Sequence, residues 1–152
     1  MLEEIADNDI LYRRIPNVHL YEDGTVKSVK IQIACVKIME AQPREVQNYL
    51  KADGTSPFEG WLDSFQDTKT VSKIKKRLRR VELGNLGDYR SLGAGVYELK
   101  IDYGPGYRIY FGQIGLTVVL LLCGGDKSSQ DQDISQAKKY WRDYERTQSP
   151  NN

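Results

Sequence analysis

Hydrophobic and polar positions alternate most clearly from Gly95 to Phe111, GVYELKIDYGPGYRIYF. Successive strand side chains point to opposite faces, so the alternation predicts two strands joined by a Gly-Pro-Gly turn. Tyr97, Leu99, Ile101, Tyr107, Ile109 and Phe111 fall on one face. Glu98, Lys100, Arg108 and Tyr110 fall on the other. Opposed residues of an antiparallel pair share a face, so both apolar sets reach the core only if odd positions pair with odd. That register sets Asp102 opposite Gly106 around a three-residue loop, Tyr103-Gly104-Pro105. It also places Lys100 opposite Arg108 and Glu98 opposite Tyr110. Two cations side by side on a sheet repel one another unless an anion belongs with them.

The flanking pattern predicts further elements. Arg44 to Ala52 alternates in part, at Val46, Tyr49 and Leu50, and reads as a strand. Ser56-Pro57 is a helix start, with Ser as N-cap and Pro at the first helical position. Phe58, Trp61, Leu62 and Phe65 then fall on one stripe. A second helix is expected from Thr68 to about Leu83, buried through Val71, Ile74, Leu78 and Val81 and ended by Gly84. Asn85 to Gly95 reads as a glycine-rich loop without the Lys-Ser/Thr ending of a phosphate-binding P-loop. Leu116 to Cys123 is apolar on both faces, as expected of a strand covered on both sides or of one inside a small sheet. A last helix, about Gln130 to Arg146, is capped by Ser128 or Ser129 and packs through Ile134, Ala137, Trp141 and Tyr144. The order β-α-α-β-β-β-α predicts a small α+β domain: a mainly antiparallel sheet, two helices before the central hairpin and one C-terminal helix.

Residues 1 to 38 differ in texture and are expected to be a separate N-terminal extension, with a strand at Ile10 to Ile15 and a loose hairpin at Asp23-Gly24. Met39 opens a segment that makes sense as an independent start, giving a domain of residues 39–147 and a frayed tail, 148–152. The 152 residues suffice for a core without disulfides. Cys35 and Cys123 are isolated thiols, and no signal peptide is visible, so the expected compartment is the reducing cytoplasm. The longest apolar run is too short to span a bilayer.

The formal charge of +1 is uninformative, but its distribution is not. The second helix carries Lys69, Lys73, Lys75, Lys76, Arg77, Arg79 and Arg80, with no acidic residue between Asp67 and Glu82. Such a run is either a solvated face or a surface for phosphates or an acidic protein; Lys69, Lys73, Lys76, Arg77 and Arg80 are the candidate nucleic-acid contacts. His19 is the single histidine, and no metal-ligand spacing appears, so no metal or other cofactor is expected.

The polar hairpin face reads either as a salt-bridge ladder, Glu98 diagonal to Arg108, or as a site for metal-free RNA cleavage. In the second reading Arg108 clamps the phosphate as a fixed bidentate cation. Lys100, crowded by Arg108, becomes a better base or acid, with Glu98 opposing that shift. Tyr110 stacks on a base or donates a proton. Lys127 adds a cation at the same end of the sheet.

Four runs carry a resemblance: PFEGWLDSF, RLRRVELGNLGDYRSLGAGVYELKIDYGPGYRIYF, LLLCGGDKSSQ and DISQAKKYWRDYE. Through them the chain, from about Glu40 to Glu145, resembles the RelE/ParE toxin superfamily and is most similar to HigB-like addiction module killer proteins. The resemblance implies a RelE-like α+β fold. It also implies a type II toxin neutralised by a cognate antitoxin protein and acting on mRNA at the ribosome as a metal-independent endonuclease. ParE-like members instead inhibit DNA gyrase, and a decayed or leader-silenced toxin is a third reading. Arg108 in YRIYF matches the family pattern; the cation after Tyr97-Glu98-Leu99 is often arginine in relatives and is Lys100 here. Lysine keeps the charge but loses the planar fork.

Overall fold

The computed structural model describes residues 42–149; the extension 1–38 lies outside them, as does Cys35. The elements in order are β1 (Glu45–Asn48), α1 (Pro57–Asp63), α2 (Thr68–Glu82), β2 (Tyr89–Gly93), β3 (Val96–Ile101), β4 (Tyr107–Ile114), β5 (Val118–Gly125) and α3 (Gln130–Gln148). A 3-10 turn, Lys127–Ser129, leads into α3. The sheet order is β1-β5-β4-β3-β2. β1 runs parallel to β5, while the other three pairs are antiparallel, which gives a mixed, mainly antiparallel α+β domain.

The β3–β4 register follows the alternation, with Lys100 opposite Arg108 and Glu98 opposite Tyr110. Leu99, Ile101, Ile109 and Phe111 pack with Phe58 of α1 and Ile74 and Val81 of α2. On the other face Val96 and Tyr110 pack with Ala137 and Trp141 of α3. The sheet is therefore a middle layer between α1 and α2 on one side and α3 on the other.

β5 is apolar throughout because it serves both layers: Val119 and Leu121 face α1 and α2, while Leu120 and Leu122 face α3. A bulge opposite Tyr110 and Phe111 turns Cys123 to the α3 side as well.

The caps follow local chemistry. Ser56 Oγ accepts from Glu59 N at 3.2 Å, and Pro57 opens α1. Asp67 caps α2 by accepting from Lys69 N and Thr70 N. At its far end Gly84, with φ of 90°, allows Gly84 N to reach Val81 O and Asn85 N to reach Arg80 O. That is a Schellman ending, which satisfies carbonyls the last turn would leave unpaired.

Four expectations need correction. Asn85 to Gly95 is not wholly loop, because Tyr89–Gly93 is an edge strand held by pairing with β3. YRSLG lacks apolar alternation because its side chains are nearly all exposed. The first strand is also shorter than Arg44 to Ala52: it ends at Asn48, and Leu50 is exposed. β5 starts at Val118 rather than Leu116, and α3 runs on to Gln148.

Candidate functional site

The charged residues of the hairpin lie where α3 ceases to cover its face. Glu98 and Arg108 are buried, at 4% and 7% exposure. A carboxylate so enclosed needs cationic or donor partners, and Glu98 has three. Arg90 of β2 donates from Nε to Oε1 at 3.0 Å and from Nη2 to Oε2 at 3.4 Å. Gln130, the first residue of α3, donates to Oε2 at 2.8 Å. Arg108 Nε stands 3.6 Å from Oε1. Arg108 Nη1 donates to Gly106 O at 2.9 Å, while its buried Nε has no hydrogen-bond partner. The Glu98–Arg108 diagonal pair thus exists but is buried rather than a surface ladder.

These residues line a recess of about 330 Å3 with Asp88, Tyr89 and Lys100. Lys100 meets Asp102 at 2.9 Å. The hydrogen bond and charge of Asp102 raise its pKa above the ordinary lysine value. The expected lowering by Arg108 is therefore reversed: the nearer carboxylate outweighs the opposed guanidinium. Glu98 likewise raises the pKa of Arg90, chiefly through their hydrogen bond.

Tyr110 lies wholly beneath α3, and its hydroxyl has no partner. No base can stack on a ring so placed. Burial first, then the charges of Glu98 and Asp133, push its pKa upward, which disfavours proton transfer from it. Beside it, burial and Asp133 push the Cys123 thiol up to about 12. Asp133 is itself raised by burial, although Ser129 Oγ donates to it at 2.5 Å.

A second recess, about 390 Å3, lies between α2 and the end of β3. Lys73, Lys76, Arg77 and Arg80 line it from α2, and Lys100, Asp102 and Tyr103 from the hairpin. Lys73 Nζ sits 5.6 Å from the centroid of the Tyr103 ring. Arg77 is less free than its neighbours: it donates to Asn85 O and Leu86 O and fastens the following loop to the helix. Burial and then the charge of Arg80 lower its pKa. Lys69 and Lys127 are exposed and line neither recess.

The structure therefore joins Glu98, Lys100 and Arg108 in one recess and Lys73, Lys76, Arg77 and Arg80 in another, with Lys100 common to both. Sequence reasoning missed Arg90, Gln130 and Asp88. Arg90 was legible only as a cation on a strand that the pattern did not reveal. Gln130 comes from the helix on the far side of β5, and nothing in its local sequence points to Glu98. Among the described residues, no three His, Cys, Asp or Glu side chains gather to hold a metal ion, and no helix is long and apolar enough to cross a membrane.

No family model matches the chain. It is 46% identical over 84 residues to an "Uncharacterized protein" of Haemophilus influenzae, a stretch covering 55% of this chain and 85% of that protein. At that identity and coverage, the chain belongs to the same family as the Haemophilus influenzae protein.

Proposed function

We propose that the chain is the toxin of a type II toxin-antitoxin pair, with a RelE-like fold, and that it cleaves mRNA at the ribosome without a metal. The observation that carries this reading is Arg108: a buried guanidinium lining a recess, its Nε paired with Glu98 but without a hydrogen bond, beside a second cation. A guanidinium fixed in that way is suited to the charge that develops on phosphate oxygens in a transition state. The 2′-oxygen attacks phosphorus, its proton passes to Glu98 as Gln130 is displaced, and the bond to the 5′-oxygen breaks. Lys100, which holds its proton firmly, stabilises charge and protonates the departing 5′-oxygen. The products are a 2′,3′-cyclic phosphate and a 5′-hydroxyl. Arg90 keeps Glu98 oriented. A cognate antitoxin protein is the expected partner.

One observation favours a second reading, a non-enzymatic toxin that binds DNA gyrase. Lys100 and Tyr110 are both shifted away from neutrality in the direction that makes proton exchange harder. Controlled expression of the full chain, with RNA 5′-ends mapped after growth arrest, separates the two. Cleaved messages with wild type and intact ones with Arg108→Ala are expected. Arrested cells with intact messages, together with inhibited supercoiling by purified protein, would replace the nuclease with the gyrase reading.

A further inference from the structure

The two recesses share a wall. Lys100 and Asp88 line both, so the Arg108 recess opens beside the one on α2. Their charge differs. The α2 recess has five cations, Lys73, Lys76, Arg77, Arg80 and Lys100, against two carboxylates, Asp88 and Asp102. Of the two carboxylates, Asp102 is engaged by Lys100 at 2.9 Å; Asp88 is held through its main-chain carbonyl, which accepts from Lys100 N at 3.1 Å. Lys73, Lys76 and Arg80 form no ion pair among the described residues and are exposed. Like charges gathered in one hollow raise its potential and favour an anion there.

The hollow is also built rather than incidental. Arg77 ties Asn85 and Leu86 to α2, and Gly87, with φ of 57°, lies against the Arg77 guanidinium, where a side chain would collide. That fixes the loop wall carrying Asp88. The Tyr103 ring beneath Lys73 fixes the opposite wall.

We propose that the α2 recess is a second phosphate seat and that the chain binds a single-stranded polynucleotide across both recesses, with Lys100 between two consecutive phosphates. The inference rests on the nuclease reading for the first seat and adds the direction in which the strand leaves it. A single strand can bend its backbone into adjoining hollows, whereas the phosphates of a stiff duplex lie on a convex surface. Within α2, Lys73, Lys76 and Arg80 are the phosphate contacts; Lys69, Lys75 and Arg79 are not. Arg79 is paired with Glu82 at 3.4 Å instead.

The test compares two variants of equal charge, Lys73→Ala/Lys76→Ala and Lys69→Ala/Lys75→Ala. The probe is a 12-nucleotide single-stranded DNA, which lacks the 2′-hydroxyl and is not cleaved, and binding is read by fluorescence anisotropy at several salt concentrations. The recess pair is expected to weaken binding about tenfold and to lower the salt slope by about 1.4, while the control pair changes affinity less than about twofold. Equal losses in the two variants would overturn the proposal in favour of diffuse attraction. No binding by wild type, or binding of polyglutamate in place of DNA, would overturn it in favour of an acidic protein partner. RNA cleavage is measured separately. Recess-dependent binding without cleavage removes the nuclease and keeps the seat; cleavage with binding indifferent to the recess pair removes the seat and keeps the nuclease.

Discussion

The two faces of the β3–β4 hairpin have the same backbone but different contents. The odd face is apolar from end to end and sealed by α1 and α2. The even face is divided: Val96 and Tyr110 lie under α3, and beyond the first turn of that helix come Glu98, Arg108 and Lys100. Where a helix covers the sheet, burial decides the residue type. Where it stops, charges are tolerated because they satisfy one another. A polar residue facing a sheet thus has different meanings along one strand. Tyr110 is a core residue despite its hydroxyl, and Arg108, although as buried as many core residues, lines an open recess.

Breaking the open end should have the largest effect on activity. On the proposed nuclease reading, Arg108→Ala is expected to lower RNA cleavage about a thousandfold, measured as kcat/KM, by removing the buried cation of the recess. On the sealed face, Ile109→Ala should cost about 3 kcal/mol in denaturant unfolding and leave the kcat of the folded fraction unchanged. If Ile109→Ala instead abolished turnover in fully folded protein, the two faces would not be separable. Gly112 tests the α3 side: a Cβ there would meet the Trp141 ring, so Gly112→Ala should cost about 2 kcal/mol, read as a lower Tm.

The smallest expected effect concerns Asp133. Burial raises its folded pKa, so the folded state holds its proton more tightly than the unfolded chain. Its contribution to stability is fully present below the ordinary value of 3.8 and is lost as pH rises through the raised folded value. Asp133→Asn removes that loss, so the Tm of the variant relative to wild type should be higher at pH 7 than at pH 4. An unchanged difference across that range would show that the carboxylate is not strained by its surroundings.

The alternation in VYELKI and YRIYF was sufficient to set the hairpin register, because a one-residue slip would turn the three apolar side chains of the slipped strand out of the core. Ser56-Pro57 marked the α1 start for an equally local reason. What escaped was non-local. β2 owes its conformation to main-chain pairing and to Arg90 meeting Glu98, not to its own pattern. The parallel β1–β5 pair leaves no mark in either strand. The partner of Lys100, by contrast, was legible: Asp102 is two residues on, hence on the same face of the extended chain. The opposed Arg108 drew attention away from it.

The parallel pairing of β1 with β5 has a consequence for the order of assembly. Glu45 lies beside Val118, so one of the first strands of the described domain waits for the last to be synthesised, and that last strand takes an interior place in the sheet. A nascent chain stopped before Val118 can pair β2, β3 and β4, but it has nothing to join β1 to them and lacks Gln130 beside Glu98. The site is therefore completed only when the C-terminal third emerges, and fragments released earlier lack Gln130 and the cover of α3.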